Sequence, residues 1–134
     1  MRNIVFFGGG NITQAIIKGL IKGGFERNNI FYIDRNNKNQ KILSKLKIKN
    51  LKNHRSAKID LFILAVKPKD ALIAYCEILK NYKNPKIVSF VAGIESKKYL
   101  NIMDKYKAKE YIENRKNDSL FNKDSIIMKK MRKK

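Results

Sequence analysis

Three consecutive glycines, Gly8, Gly9 and Gly10, and an acid beside a base further along, Asp34 and Arg35, are the residues whose types and spacing suit chemistry. Glycines leave backbone N–H groups open to an approaching anion, and the first N–H groups of a helix have no intrahelical partner. Gly8 permits a tight turn, and Gly10 carries no Cβ to hold a pyrophosphate away from the backbone. The Asp34 carboxylate can accept hydrogen bonds from ribose hydroxyls. The Arg35 guanidinium, with Asn36 and Lys38 beyond it, can hold a phosphate. Asp34 has a second use open to it, as the cap of a following helix.

The elements that must position these groups are visible in the hydrophobic pattern. Ile4, Val5, Phe6 and Phe7 form an unbroken run of β-formers, as in a strand buried on both faces. The glycines stop it, and Ile12, Ala15, Ile16, Gly19 and Leu20 then recur at helical spacing until Gly23 and Gly24. A second strand, 30–33, closes on Asp34. A strand, a tight turn, a helix and a second strand ending in an acid form the context of the dinucleotide fingerprint G-x-G-x-x-G/A. Gly8 and Gly10 take its first two places and Thr13 the third, with Asn11 and Ile12 opening the helix. Without that context the glycines are only a turn between packed elements. Asp34 favours NAD and Arg35 favours NADP, so the two signals conflict.

Further along, the spacing predicts a helix over 37–47, with Ile42, Leu43 and Leu46 buried, and a short third strand over 48–51. The loop 53–58 holds His54, the sole histidine, which reads as an exposed loop residue rather than a catalytic base. Residues 59–66 (IDLFILAV) are apolar almost throughout and predict a central parallel strand. Lys67 and Pro68 end it, and Pro68 is suited to open a helix over 69–81. Cys76, on that helix's apolar face with Leu72 and Leu79, reads as a core residue rather than a nucleophile. A fifth strand follows over 87–91, and a helix over 95–106. The alternation gives a Rossmann-like α/β fold, a doubly wound parallel sheet of order 3-2-1-4-5, its ligand beyond the carboxyl ends of strands one and four. From residue 107 the pattern degrades: 108–113 offers a sixth strand and 125–131 a short helix, neither with a clear start, stop or apolar face. The expected division is a dinucleotide-binding domain over 1–106 and a basic tail over 107–134.

At 134 residues and 43% hydrophobic content, one domain with a real core is the simplest organisation. A single cysteine excludes an intrachain disulfide and a Cys-rich metal cluster, and fits a reducing cytoplasm. The chain starts directly on a core strand, and no run approaches membrane-spanning length, so a soluble protein is expected. The net charge of +20 invites a nucleic-acid reading, but the excess is spread: 18 Lys/Arg against 5 Asp/Glu in residues 1–94, 13 against 6 in 95–134. Weak, salt-sensitive polyanion binding is expected of such a surface. A basic nucleic-acid-binding module on the same fold is the alternative from another functional class.

Three segments in order resemble pyrroline-5-carboxylate reductase, the family that makes proline by reducing its cyclic imine with NADPH. FFGGGNITQAIIKGL is similar to the family's GxGNMxxAII run through Gly8, Gly10, Asn11, Ala15 and Ile16; LFILAVKP resembles its fourth strand and cofactor-facing loop; VSFVAGI resembles its fifth strand and the turn near the nicotinamide. The resemblance implies that Gly8, Gly10, Asn11 and Ile12 seat the pyrophosphate and that Arg35 and Asn36 hold the adenosine phosphate. It puts Ala65, Val66, Lys67 and Pro68 on the nicotinamide side, with NADP as cofactor and NAD as the other possibility. Hydride passes from the nicotinamide to the imine, so the protein supplies position and electrostatics rather than a nucleophile. Related reductases using a deazaflavin or acting on hydroxy acids share the half-fold, but AVKP followed by AGI argues against them. Two departures stand out. Thr13 replaces the family's alanine. No proline follows Pro85, and EYIENRKNDSLFNKD stands where the family has a Met-Pro-Asn-x-Pro segment leading to a helical, dimerising domain. The expectation is therefore a truncated cofactor-binding half, inactive alone, with a separate helical domain or a homo-oligomer as its partner.

Overall fold

A computed structural model describes residues 2–102 and 105–114. Four-residue apolar runs form β1 (Ile4–Phe7), β2 (Ile30–Ile33) and β4 (Leu61–Leu64), while β3 (Lys49–Asn50) and β5 (Ile87–Ser89) are shorter. All pair in parallel in the order β3-β2-β1-β4-β5, as the alternation of elements predicts. Helices α1 (Asn11–Lys22), α2 (Asn37–Lys45), α3 (Pro68–Asn81), α4 (Ser96–Asn101) and α5 (Lys105–Asn114) are the α-helices among the described residues.

The two-residue period of the strands divides the core into two layers. Ile4, Phe6, Ile30, Tyr32 and Ile63 face one way and pack with Ile17 of α1 and Leu43 of α2. Val5, Phe7, Phe31, Ile33, Phe62 and Leu64 face the other way, against α3 and α5. The register aligns Phe7 with Ile33 on one side and with Leu64 on the other. Gly8, Asp34 and Ala65, each the next residue, are therefore brought abreast at the carboxyl edge. The chain leaves β1 for the α1 layer and β4 for the α3 layer, so that edge opens at a topological switch point.

The sixth strand expected over 108–113 is not formed; those residues lie in α5. Ala108 and Ile112, one helical turn apart, are both buried beside α3, whereas a strand would set the charged Glu110 between them on the same face. The lysines, alanine and glutamates of KYKAKEYIEN also favour helix over strand. Helix α5 begins two residues before the point where the sequence pattern starts a basic tail. Its packing leaves α3 buried on both sides, from Ala71 and from Ile73 through Leu79, Cys76 included. The helix expected over 125–131 lies outside the described residues. β3 is cut short because the chain turns into a 3-10 segment at Leu51–Asn53, with the Asn50 side chain accepting from the Lys52 N–H. His54 follows it, exposed, its ring edge-on to Phe31.

Candidate functional site

The glycine turn is pressed backbone to backbone against the loop after β4. Gly8 has φ +106°, a conformation L side chains rarely adopt, and a Cβ there would lie 2.4 Å from the Ala65 carbonyl oxygen and 2.9 Å from the Val66 nitrogen. The Gly8 N–H donates to the Ile33 carbonyl at 2.9 Å, and the Ala65 N–H donates to the Phe7 carbonyl at 2.8 Å. Thr13 fills the third fingerprint place, fully buried, and its hydroxyl donates to the Gly8 carbonyl. The departure from a small apolar residue thus buries no unpaired polar group. Gln14 Nε2 donates to the Gly9 carbonyl at 2.9 Å, so two α1 side chains fasten the turn.

Helix α1 starts without a side-chain cap. Its N-cap is Gly10, in extended backbone, and no acid lies in the first turn. The first intrahelical donor is the Gln14 N–H, bonded to the Gly10 carbonyl at 3.0 Å, which leaves Asn11, Ile12 and Thr13 ahead of it. Where a Cβ on Gly10 would stand, no heavy atom lies within 4 Å. Open space above a helix N-terminus, with a glycine at its mouth, is the arrangement that admits a phosphate.

On the β2 side the half-buried Asp34 holds the turn together. Its Oδ2 accepts from the Gly9 N–H at 2.6 Å and from Asn39 Nδ2 at 2.9 Å, and its Oδ1 accepts from the Asn36 N–H at 2.7 Å. Three of roughly four acceptor positions on the carboxylate are used. The capping of α2 that was open to Asp34 falls instead to Asn36, whose Oδ1 accepts from the Asn39 N–H. Asp34→Ala should therefore destabilise the chain by about 2–3 kcal/mol, since it strands several donors at once. A urea-unfolding comparison with wild type measures it; a loss under about 0.5 kcal/mol would show that the clamp is idle.

Arg35 is 41% exposed and reaches from β2 to the first turn of α3, with Nη2 3.6 Å from Asp70 Oδ1. Lys67 is the N-cap of α3 and Pro68 its first residue. Both are exposed, whereas Ala65 and Val66 are half-buried behind them. All eleven residues singled out from the sequence thus sit in the three segments that follow β1, β2 and β4, with Asn11 and Ile12 opening α1 and Pro68 opening α3. The sequence reading missed Gly9, which anchors Asp34, and the amides Asn39 and Gln40, the latter donating to the Asp34 carbonyl. Their spacing from Asp34, five and six residues into a helix start, was the available signal. Asp70 carried none. Among the described residues, no group of His, Cys, Asp or Glu could hold a metal, and no helix is long and apolar enough to cross a membrane. An apolar groove of about 810 Å³, lined by Tyr75, Tyr82, Ile87, Val91 and Tyr99, lies beside β5 and is separate from the glycine turn.

Comparison with known proteins points the same way. Residues 3–93 match a family described as NADP oxidoreductase, coenzyme F420-dependent. The pyrroline-5-carboxylate reductase of Haemophilus influenzae is 31% identical over 99 residues, covering 71% of this chain and 36% of that protein. Pyrroline-5-carboxylate reductase 2 of Bacillus subtilis is 27% identical over 99 residues, covering 70% and 36%. The chain thus spans about a third of the length of these curated relatives, the N-terminal part. A solved pyrroline-5-carboxylate reductase from Coxiella burnetii superposes with a TM-score of 0.65 at 27% identity, over 78% of this chain and 40% of that one. The enzyme from Streptococcus pyogenes shares the fold, with a TM-score of 0.52 at 24% identity over 74% and 37%.

Proposed function

The chain belongs to the family of NADP oxidoreductases, coenzyme F420-dependent, and we propose that it is the cofactor-holding part of a reductase of the pyrroline-5-carboxylate kind, acting in proline formation in the cytoplasm and preferring NADP(H) to NAD(H). The observation that carries this reading is the bare start of α1: an uncapped helix behind Gly10, open above, beside a β4–α3 loop in backbone contact with Gly8. Gly10, Asn11 and Ile12 seat the pyrophosphate on backbone N–H groups, and Gly8, whose own N–H is bonded to the Ile33 carbonyl, shapes the turn that presents them. Arg35 and Asn36 face the adenosine end from the β2 loop. Ala65, Val66, Lys67 and Pro68 line the nicotinamide side. Bound NADPH supplies the hydride; the chain's own residues orient it and need no nucleophile of their own. A helical domain, in a partner chain or a second copy, completes the substrate side.

The NADP preference follows from chemistry at Arg35. A guanidinium forms charge-assisted bonds to a 2′-phosphate that a 2′-hydroxyl cannot match, while Asp34 is largely engaged by Gly9, Asn36 and Asn39 and has little left for a ribose. Arg35→Ala should weaken NADPH binding about tenfold or more, from the loss of about 1.5–3 kcal/mol, and leave NADH binding nearly unchanged. Fluorescence titration of both cofactors into both proteins tests the proposal. Equal wild-type affinities, or no loss in the variant, would defeat it.

A further inference from the structure

We propose that Asp70 sets how strongly this chain prefers a 2′-phosphorylated dinucleotide, by competing with that phosphate for the Arg35 guanidinium. The inference rests on the dinucleotide reading above and adds a residue that neither the fingerprint nor the β2-end rule includes. β1 lies between β2 and β4, Arg35 follows β2, and Asp70 sits in the first turn of the helix that follows β4. Their ion pair therefore spans the carboxyl end of β1. It joins the α1–α2 layer to the α3 layer at the switch point, where a dinucleotide must lie.

The two partners are unequal. Asp70 is only 14% exposed and stands at a helix N-terminus, whose dipole favours a carboxylate. Arg35 is a long, 41% exposed side chain, held at 3.6 Å rather than at the 2.7–2.9 Å of a close charge-assisted bond. The acid stays and the arginine moves. A phosphate monoester brings about −1.5 to −2 charge and three acceptor oxygens, enough to draw the guanidinium away from a carboxylate oxygen 3.6 Å off. A ribose hydroxyl brings no charge and leaves the pair closed. Asp70 thereby lowers the affinity for the phosphorylated cofactor selectively, and it keeps Arg35 over the crevice until that phosphate arrives.

The test is a double-mutant cycle on the full chain, reading dissociation constants of NADPH and NADH for wild type, Asp70→Asn, Arg35→Ala and the double variant. Exposed ion pairs are worth up to about 1 kcal/mol, so Asp70→Asn should tighten NADPH roughly three- to fivefold and NADH less than twofold. In the Arg35→Ala background the same substitution should do almost nothing. Asp70→Ser, which keeps a polar residue at the helix start, should act in the same direction, and melting curves verify that each variant is folded. Equal tightening of both cofactors, or an effect that survives without Arg35, overturns the proposal and leaves the dinucleotide reading standing. A wild-type chain that binds neither cofactor overturns that reading, and this inference with it.

Discussion

Gly8→Ala lowers the unfolding free energy by about 2–6 kcal/mol, whereas Gly10→Ser leaves stability intact and removes dinucleotide binding. The two glycines are one residue apart and do different things. At Gly8 the backbone has φ +106°, where a side chain costs about 1–3 kcal/mol in strain, and the new methyl would meet the Ala65 carbonyl at 2.4 Å. That carbonyl is backbone, anchored by β4, so relief requires the two loops to part, at the further 1–3 kcal/mol typical of overpacking. The sum is a large part of the 5–15 kcal/mol that holds a domain together. At Gly10 the backbone is extended, φ −79° and ψ −161°, and nothing stands near the missing Cβ. Serine there is a favoured N-cap, whose hydroxyl would accept from an N–H of the first turn. It thereby satisfies the helix with its own oxygen and takes the place of the anion. Urea unfolding and cofactor titration on both variants give the check: a Gly10→Ser chain with undiminished NADPH affinity would mean that the α1 N-terminus is not the pyrophosphate seat.

The contrast also shows what the sequence could and could not disclose. β1, β2 and the sheet order were legible because parallel strands buried on both faces read as unbroken apolar runs, and IVFF and IFYI are short, rich in β-branched and aromatic residues, and stopped at once by Gly8 and Asp34. The glycine turn was legible because the hydrophobic period changes across it. Residues 108–113 were offered as a strand although they show no clear apolar face in the sequence, while α5 packs Ala108 and Ile112 into the core beside α3. Tertiary packing outweighed a weak local pattern there. Within the site, residue types were visible and partners were not. Asp34 was rightly placed at the end of β2, yet its bonds to Gly9, Asn36 and Asn39 depend on how α2 starts, which Asn36 decides as its cap. The pairing of Arg35 with Asp70 crosses the end of β1, and no spacing rule in one dimension encodes it.

Supplied with NADPH and pyrroline-5-carboxylate, this chain by itself turns over at least about a hundredfold more slowly than a full-length reductase of the family. Imine reduction demands that the substrate carbon be held against the nicotinamide, and such placement is worth effective molarities of about 10⁵ M or more; an error of 1 Å costs roughly 10²-fold. Placement needs a wall on each side of the substrate. On the side this chain provides, Lys67 and Pro68 of the β4–α3 loop and Ala92 and Gly93 beyond β5 are all exposed. Water beside the imine weakens each polar contact that would orient it. The matched relatives carry nearly two-thirds of their length outside the region shared with this chain, since the match covers 36% of each. Following NADPH oxidation with the chain alone, and then with the helical domain of a family member added in trans, separates the alternatives. Restored turnover in the second case assigns the second wall to that domain, whereas full turnover in the first would show that these 134 residues build a substrate site of their own.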